Sequence, residues 1–180
     1  MEKRFTLVAH GKHLWTRELA RTIRTHEEEL LHATDIGDTV VVDAKGVEVF
    51  DYSFANEFFG KALLHLPTDF PGRFLIVEHL TPYTRENLTK ALESLGLAMI
   101  ERKGGTLHLL GKVHKTDQET FEAIARAKGQ ATAAALTDQL DLNVTAVNER
   151  LAKLAKLALV RRAKVVSPAG REQYQYAVLE

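Results

Sequence analysis

Between Asn143 and Arg171 stand seven basic residues, Arg150, Lys153, Lys156, Arg161, Arg162, Lys164 and Arg171, against one acid, Glu149. A stretch of this sign and density can hold phosphates, which give affinity and orientation without reading a sequence. Thr145, Asn148 and Glu149 fall in the same stretch with a different capacity. An asparagine amide can pair bidentately with adenine, and a glutamate carboxylate can accept from the cytosine amine. Over the whole chain, 24 Lys and Arg balance 24 Asp and Glu. The positive charge is therefore local, which argues against a protein that coats nucleic acid along its entire surface.

Such residues work only if something rigid presents them. Val144, Val147, Leu151 and Leu154 recur at steps of three and four, which predicts a helix over 143–156 with one apolar face. Asn143 is a suitable N-cap, since its side chain can accept from an unpaired amide of the first turn. On that reading Thr145, Asn148 and Glu149 face outward near the helix start, while Arg150, Lys153 and Lys156 follow along it. A shorter amphipathic run, Thr132 to Leu140, precedes it across the tight connection Asp141-Leu142. After it, strands are expected near 160–166 and 173–179 around the turn Ser167-Pro168-Ala169-Gly170, with Arg171 at the tip. A short helix, a tight turn, a capped second helix and a basic hairpin read as a winged helix-turn-helix, whose second helix enters the major groove.

The preceding residues have another rhythm. Strands are expected at Arg4–Ala9, Thr39–Asp43, Val47–Asp51, Phe74–Val77, Leu97–Ile100 and Thr106–Leu110. Helices are expected from Thr16 (TRELARTIRTHEEELLHA), from Ser53 as N-cap (SFANEFFGKALLHL) and from Pro82 to Gly96. TVVVD, with almost no alternation, predicts a strand covered on both faces, hence a sheet flanked by helices. Leu19, Ile23, Leu30 and Leu31 form the expected buried side of the first helix, and Glu27-Glu28-Glu29 a solvated face. Phe54, Phe58, Ala62 and Leu66 form the buried stripe of the second. A polar joint at 115–118, with the capping pattern Thr116-x-x-Glu119, divides an α/β domain, 1–114, from a mainly α domain with a β-hairpin wing, 115–180.

Two resemblances follow from these motifs. ATAAALTDQLDLNVTAVNERLAKLAKLALVRRAKVVSPAGREQYQY resembles the winged-helix domains of bacterial transcriptional regulators, with Ala158 where those often carry glycine. VVVD, KGV and FDYSFANEFFG resemble the STAS-like family, relatives of the anti-sigma-factor antagonists. That resemblance implies a domain that binds partner proteins and is not an enzyme. Some members are phosphorylated on a serine at the start of the helix by a histidine-kinase-like ATPase. Here that position is Tyr52, beside Asp51 and Ser53, which together mark the implied regulatory or partner site.

Other chemistries find little support. There is no cysteine, so a disulfide framework, a thiol nucleophile and a Cys-ligated zinc are excluded. His10 and His13 lack further ligands at a matching spacing, so no metal and no cofactor are expected. No phosphate-binding glycine motif or nucleophile elbow occurs, and catalysis would need a deep polar pocket that no motif announces. No apolar run is long enough to span a bilayer, and the N-terminus lacks a signal-peptide core. The expectation is a cytoplasmic, non-membrane, DNA-binding transcriptional regulator with duplex DNA and a regulatory protein as partners, compatible with a homodimer. The alternative is an interaction protein that does not bind DNA, a partner-switching antagonist of an ATPase- or kinase-type regulator.

Overall fold

The computed structural model describes residues 1–179. The chain divides into two compact units, Met1–Lys112 and Val113–Glu180. The fold is mixed α/β with a parallel-dominated sheet.

In the first unit the order is β1 (Glu2–Thr6), a 3-10 turn (Leu7–His10), β2 (His13–Leu14), α1 (Arg17–His32), β3 (Thr39–Asp43), β4 (Val49–Phe50) and α2 (Tyr52–Ala55). A π-helical turn (Asn56–Gly60) leads from α2 into α3 (Lys61–Asp69), and β5 (Phe74–Glu78), α4 (Pro82–Leu95), β6 (Ala98–Lys103) and β7 (Thr106–Gly111) complete the unit. The main sheet runs β1-β3-β5-β6-β7, with the first four strands parallel and β7 antiparallel to β6. The minor strands β2 and β4 pair separately.

Each parallel crossover advances this sheet by one strand in the same direction. Right-handed connections then put every crossover helix on one face. Contacts agree, because α1 and α4 both pack on the π turn. The register row Phe5, Val42, Val77, Glu101 lies on that face, where Phe5 stacks on Phe58 at 6.0 Å. Val41 and Ile76, on the opposite face, are buried too, as the apolar run without alternation predicts for a strand covered on both faces.

The π turn is a departure from simple periodicity. It inserts an extra residue into the helical phase, so both Phe58 and Phe59 are buried with Phe50 and Phe54. Their rings meet at 4.7–5.7 Å, a cluster in which each buried ring contributes about 2–3 kcal/mol. The expected stripe Phe54, Phe58, Ala62, Leu66 is buried as well.

In α1 the buried positions are Ala20, Ile23, Glu27 and Leu31, with Leu19 and Leu30 only half-buried. Glu27 is therefore not part of a solvated run. It is fully buried, and neither carboxylate oxygen has a hydrogen-bond partner. Arg24, one turn away, is drawn off to Glu28 and Glu57.

The second unit comprises α5 (Lys115–Arg126), β8 (Ala131–Thr132), α6 (Ala133–Leu140), α7 (Val144–Lys156), β9 (Arg161–Val166) and β10 (Glu172–Ala177). β8, β10 and β9 form a three-stranded antiparallel sheet in that order. Phe121, Ile124, Leu136, Val147, Leu151, Leu154, Leu159, Val160 and Tyr176 fill its core. The start of α5 is fixed by Asp117, which accepts from the His114 amide at 3.1 Å, so the helix begins before the Thr116-x-x-Glu119 pattern.

The end of α7 explains an oddity of the sequence. The Leu159 amide donates to the Leu154 carbonyl (3.0 Å) and the Ala158 amide to that of Ala155 (3.0 Å), the Schellman arrangement. Ala158 consequently sits at φ 54°, a left-handed conformation that costs an L-residue about 1 kcal/mol. Ala158→Gly should raise unfolding stability by about 1 kcal/mol, read as a higher urea midpoint with unchanged m-value.

Candidate nucleic-acid interface

The element that would carry sequence contacts is held at both ends. The Asn143 side chain accepts from the Ala146 amide at 2.9 Å. Before it, Asp141 adopts φ 51° and the Leu142 amide donates to the Thr137 carbonyl at 3.1 Å, which turns the chain from α6 into α7 within three residues. Thr132 caps α6 by accepting from the Ala135 amide at 3.2 Å. With Val147, Leu151 and Leu154 buried, Thr145, Asn148 and Glu149 point to solvent. Val144 does not join the apolar face; it is 47% exposed, because it stands in the first turn, ahead of the core.

The basic residues separate into two groups. Lys156, Arg162, Lys164 and Arg171 are exposed and Arg150 and Arg161 half-buried. Lys164 pairs with Glu172 across the hairpin at 2.6 Å, an exposed pair worth little in stability. The Arg162 guanidinium lies 4.6 Å above the Tyr174 ring and also bonds the Tyr176 hydroxyl, which restricts the side chain. Arg171 stands just past the hairpin turn, its amide donating to Ser167 Oγ at 3.1 Å.

Lys153 belongs to the other group. Its Nζ donates to both oxygens of buried Asp117, at 2.8 and 2.7 Å, and ties α7 to α5. Burial alone would raise the Asp117 carboxyl. The bonds from Lys153 and from the His114 amide outweigh it and hold the group below its ordinary range. Lys153 is thus a structural tie to a buried carboxylate, a partner that the sequence reading of it as a phosphate contact did not include. Lys153→Met should destabilise by about 1–2 kcal/mol, since it leaves a buried carboxylate without its cation. Lys156→Met should change stability by less than about 0.5 kcal/mol. Paired urea titrations separate the two.

The implied regulatory site takes shape around the start of α2. Asp51, not Ser53, is the N-cap, its carboxylate accepting from the Phe54 amide at 2.7 Å. Ser53 lies within the first helical turn, half-buried. Tyr52 Oη donates to Ser94 Oγ at 2.8 Å. Because the Asp51 amide reaches the Leu14 carbonyl at 3.4 Å, Trp15 lies beside this segment. Trp15 and Tyr52 are 45% and 38% exposed. Arg17 donates to Asn56 Oδ1 at 3.1 Å, and Arg21 reaches Glu57 at 3.4 Å. Exposed Trp, Tyr and Arg close together are the composition of interface anchors.

His10 is stacked between Phe5 and His26, and His13 Nε2 sits 2.9 Å from Glu48. Among the described residues no group of three His, Cys, Asp or Glu could hold a metal ion, and no helix is long and apolar enough to cross a membrane.

No family model matches the chain, and no curated protein matches it. Among solved structures, it is similar to a protein described as a possible transcriptional regulator from Methanosarcina mazei Go1. The identity is 20%, over 38% of this chain and 57% of that one, with a TM-score of 0.34.

Proposed function

We propose that the protein is a DNA-binding transcriptional regulator, with residues 115–180 acting as a winged helix-turn-helix on duplex DNA. The carrying observation is the presentation of α7. A tight left-handed turn from α6, an Asn143 cap and a buried Val147-Leu151-Leu154 stripe hold Thr145, Asn148 and Glu149 outward. A hairpin with exposed Arg162, Lys164 and Arg171 follows directly. In this reading α7 meets base edges in the major groove, and Arg150, Lys156, Arg161 and the hairpin cations hold phosphates. Residues 1–114 act as a STAS-like module that receives a signal through a protein, a histidine-kinase-like ATPase being the class the motif implies. The protein works in the cytoplasm, as a homodimer where half-sites are paired, and is not an enzyme.

The test is a fluorescence-anisotropy titration of the full chain against random duplex at two salt concentrations. With about five phosphates contacted, affinity should fall several hundredfold between 50 and 200 mM salt. No binding at low salt would sink the reading. The exposed Trp15, Tyr52, Arg17 and Arg21 beside Asp51 favour a second reading in that event. The chain would then be a partner-switching antagonist that does not bind DNA, and Ser53→Asp should abolish its co-purification with an ATPase partner.

A further inference from the structure

At the carboxyl ends of β5 and β6 lies a cleft of about 390 Å³. It adjoins a recess of about 580 Å³ that shares Arg85, Glu101 and Lys103 and adds His108. The sequence offered no motif for such a cleft, because its groups come from separate segments.

The carboxylates of this wall are occupied. Buried Glu101 takes the Arg85 Nε at 3.0 and 2.8 Å on its two oxygens, and Arg85 Nη2 as well. Glu78 accepts from Arg4 and from Arg102, each at 2.7 Å. Behind them Asp43 accepts from Arg4 at 3.0 Å and from the Lys45 amide at 2.9 Å, and meets His79 Nδ1 at 2.7 Å. Charges here are balanced overall, but commitments are not. A cationic ligand would find no free carboxylate, whereas the Lys103 ammonium and His79 Nε2 have no partner among the described residues.

Two backbone features add to this. His79 holds φ 59°, a conformation that costs a non-glycine residue about 1 kcal/mol and concentrates where side chains are aimed for a purpose. Gly104 and Gly105, in the β6–β7 turn, have nothing within 4 Å of where a Cβ would stand, so the cleft is open at that end.

We infer that this cleft binds a small molecule bearing a carboxylate or phosphate group, with Lys103 as its counter-charge and His79 Nε2 as its hydrogen-bond partner. The inference is independent of the DNA reading. It gives the first unit a small-molecule input that no motif of the sequence assigns.

The test titrates the full chain, without DNA, with sodium phosphate or with succinate at constant ionic strength, while recording the imidazole resonances of its histidines. His79→Gln and His108→Gln assign the signals. The expected result is saturable shifts of His79 and His108 while His65 and His32 stay still, with apparent affinity at least about tenfold weaker in Lys103→Met. The anion that saturates at the lower concentration identifies the head group. Shifts that never saturate, that move all histidines together, or that persist unchanged in Lys103→Met would overturn the inference.

Discussion

Reversing two charges, Lys156→Glu with Arg171→Glu, should weaken binding to random duplex at least about fiftyfold, and lower the slope of log affinity against log salt by about two. Both side chains are exposed. One lies at the end of α7 and the other beside the hairpin turn, so neither change touches the core and the melting transition should stay in place. The combination tests the geometry and not merely the charge. A double reversal of Lys90 and Lys112, in the first unit, alters the total charge equally and should leave the affinity within about threefold. If the two pairs behave alike, only the overall field matters and the α7–hairpin surface has no special role. A companion change, Asn148→Ala, should leave the salt slope unchanged while flattening the preference between a selected site and random sequence.

The second large effect concerns stability rather than binding. Burial, reinforced by Glu28 and opposed by Arg24, pushes the Glu27 carboxyl up to about 8 from an ordinary 4.5. The folded chain therefore holds a proton that the unfolded chain releases. The stability contributed by this group is fully present below pH 4.5 and is lost as pH rises through 8. The span corresponds to an upper bound of about 5 kcal/mol, and relaxation should leave about 3 kcal/mol. Glu27→Gln removes the titration. Above pH 8 the variant should be more stable than the parent by about 3 kcal/mol, and the difference should shrink steadily toward pH 4.5. Denaturation curves of both proteins at several pH values measure it, and a difference independent of pH would refute the assignment. The opposite trend comes from Asp117, whose group is held low and whose contribution is lost as pH falls, so only the parent–variant difference isolates Glu27.

Local signals made much of this legible in advance. The α7 stripe, the Asn143 cap, the hairpin with its Ser167–Gly170 turn and the Phe54-Phe58-Ala62-Leu66 face all rest on residues close in sequence, which periodicity and capping chemistry can read. What escaped depends on distant partners. Lys153 looked like its neighbour Lys156 because its partner, Asp117, is 36 residues away. Glu27 was hidden in an acidic run, since three adjacent glutamates on a helix cannot share one face and only the fold decides which turns inward. Ser53 and Asp51 are both capable caps, and the two-residue register that chose Asp51 is set by the β2–β4 pairing upstream of it. The cleft near Lys103 was invisible for the same reason, its wall being assembled from β5, α4 and the β6–β7 turn.

The order of the strands also bears on how the chain reaches its fold. In β1-β3-β5-β6-β7 every newcomer docks on the strand last added, so no pairing waits for a segment that has yet to appear. Sequence separation between paired strands stays close to one crossover, which keeps loop-closure cost small for a parallel sheet. Such a topology can zip from its beginning to its end, and the sheet can assemble in step with synthesis as the chain leaves the ribosome.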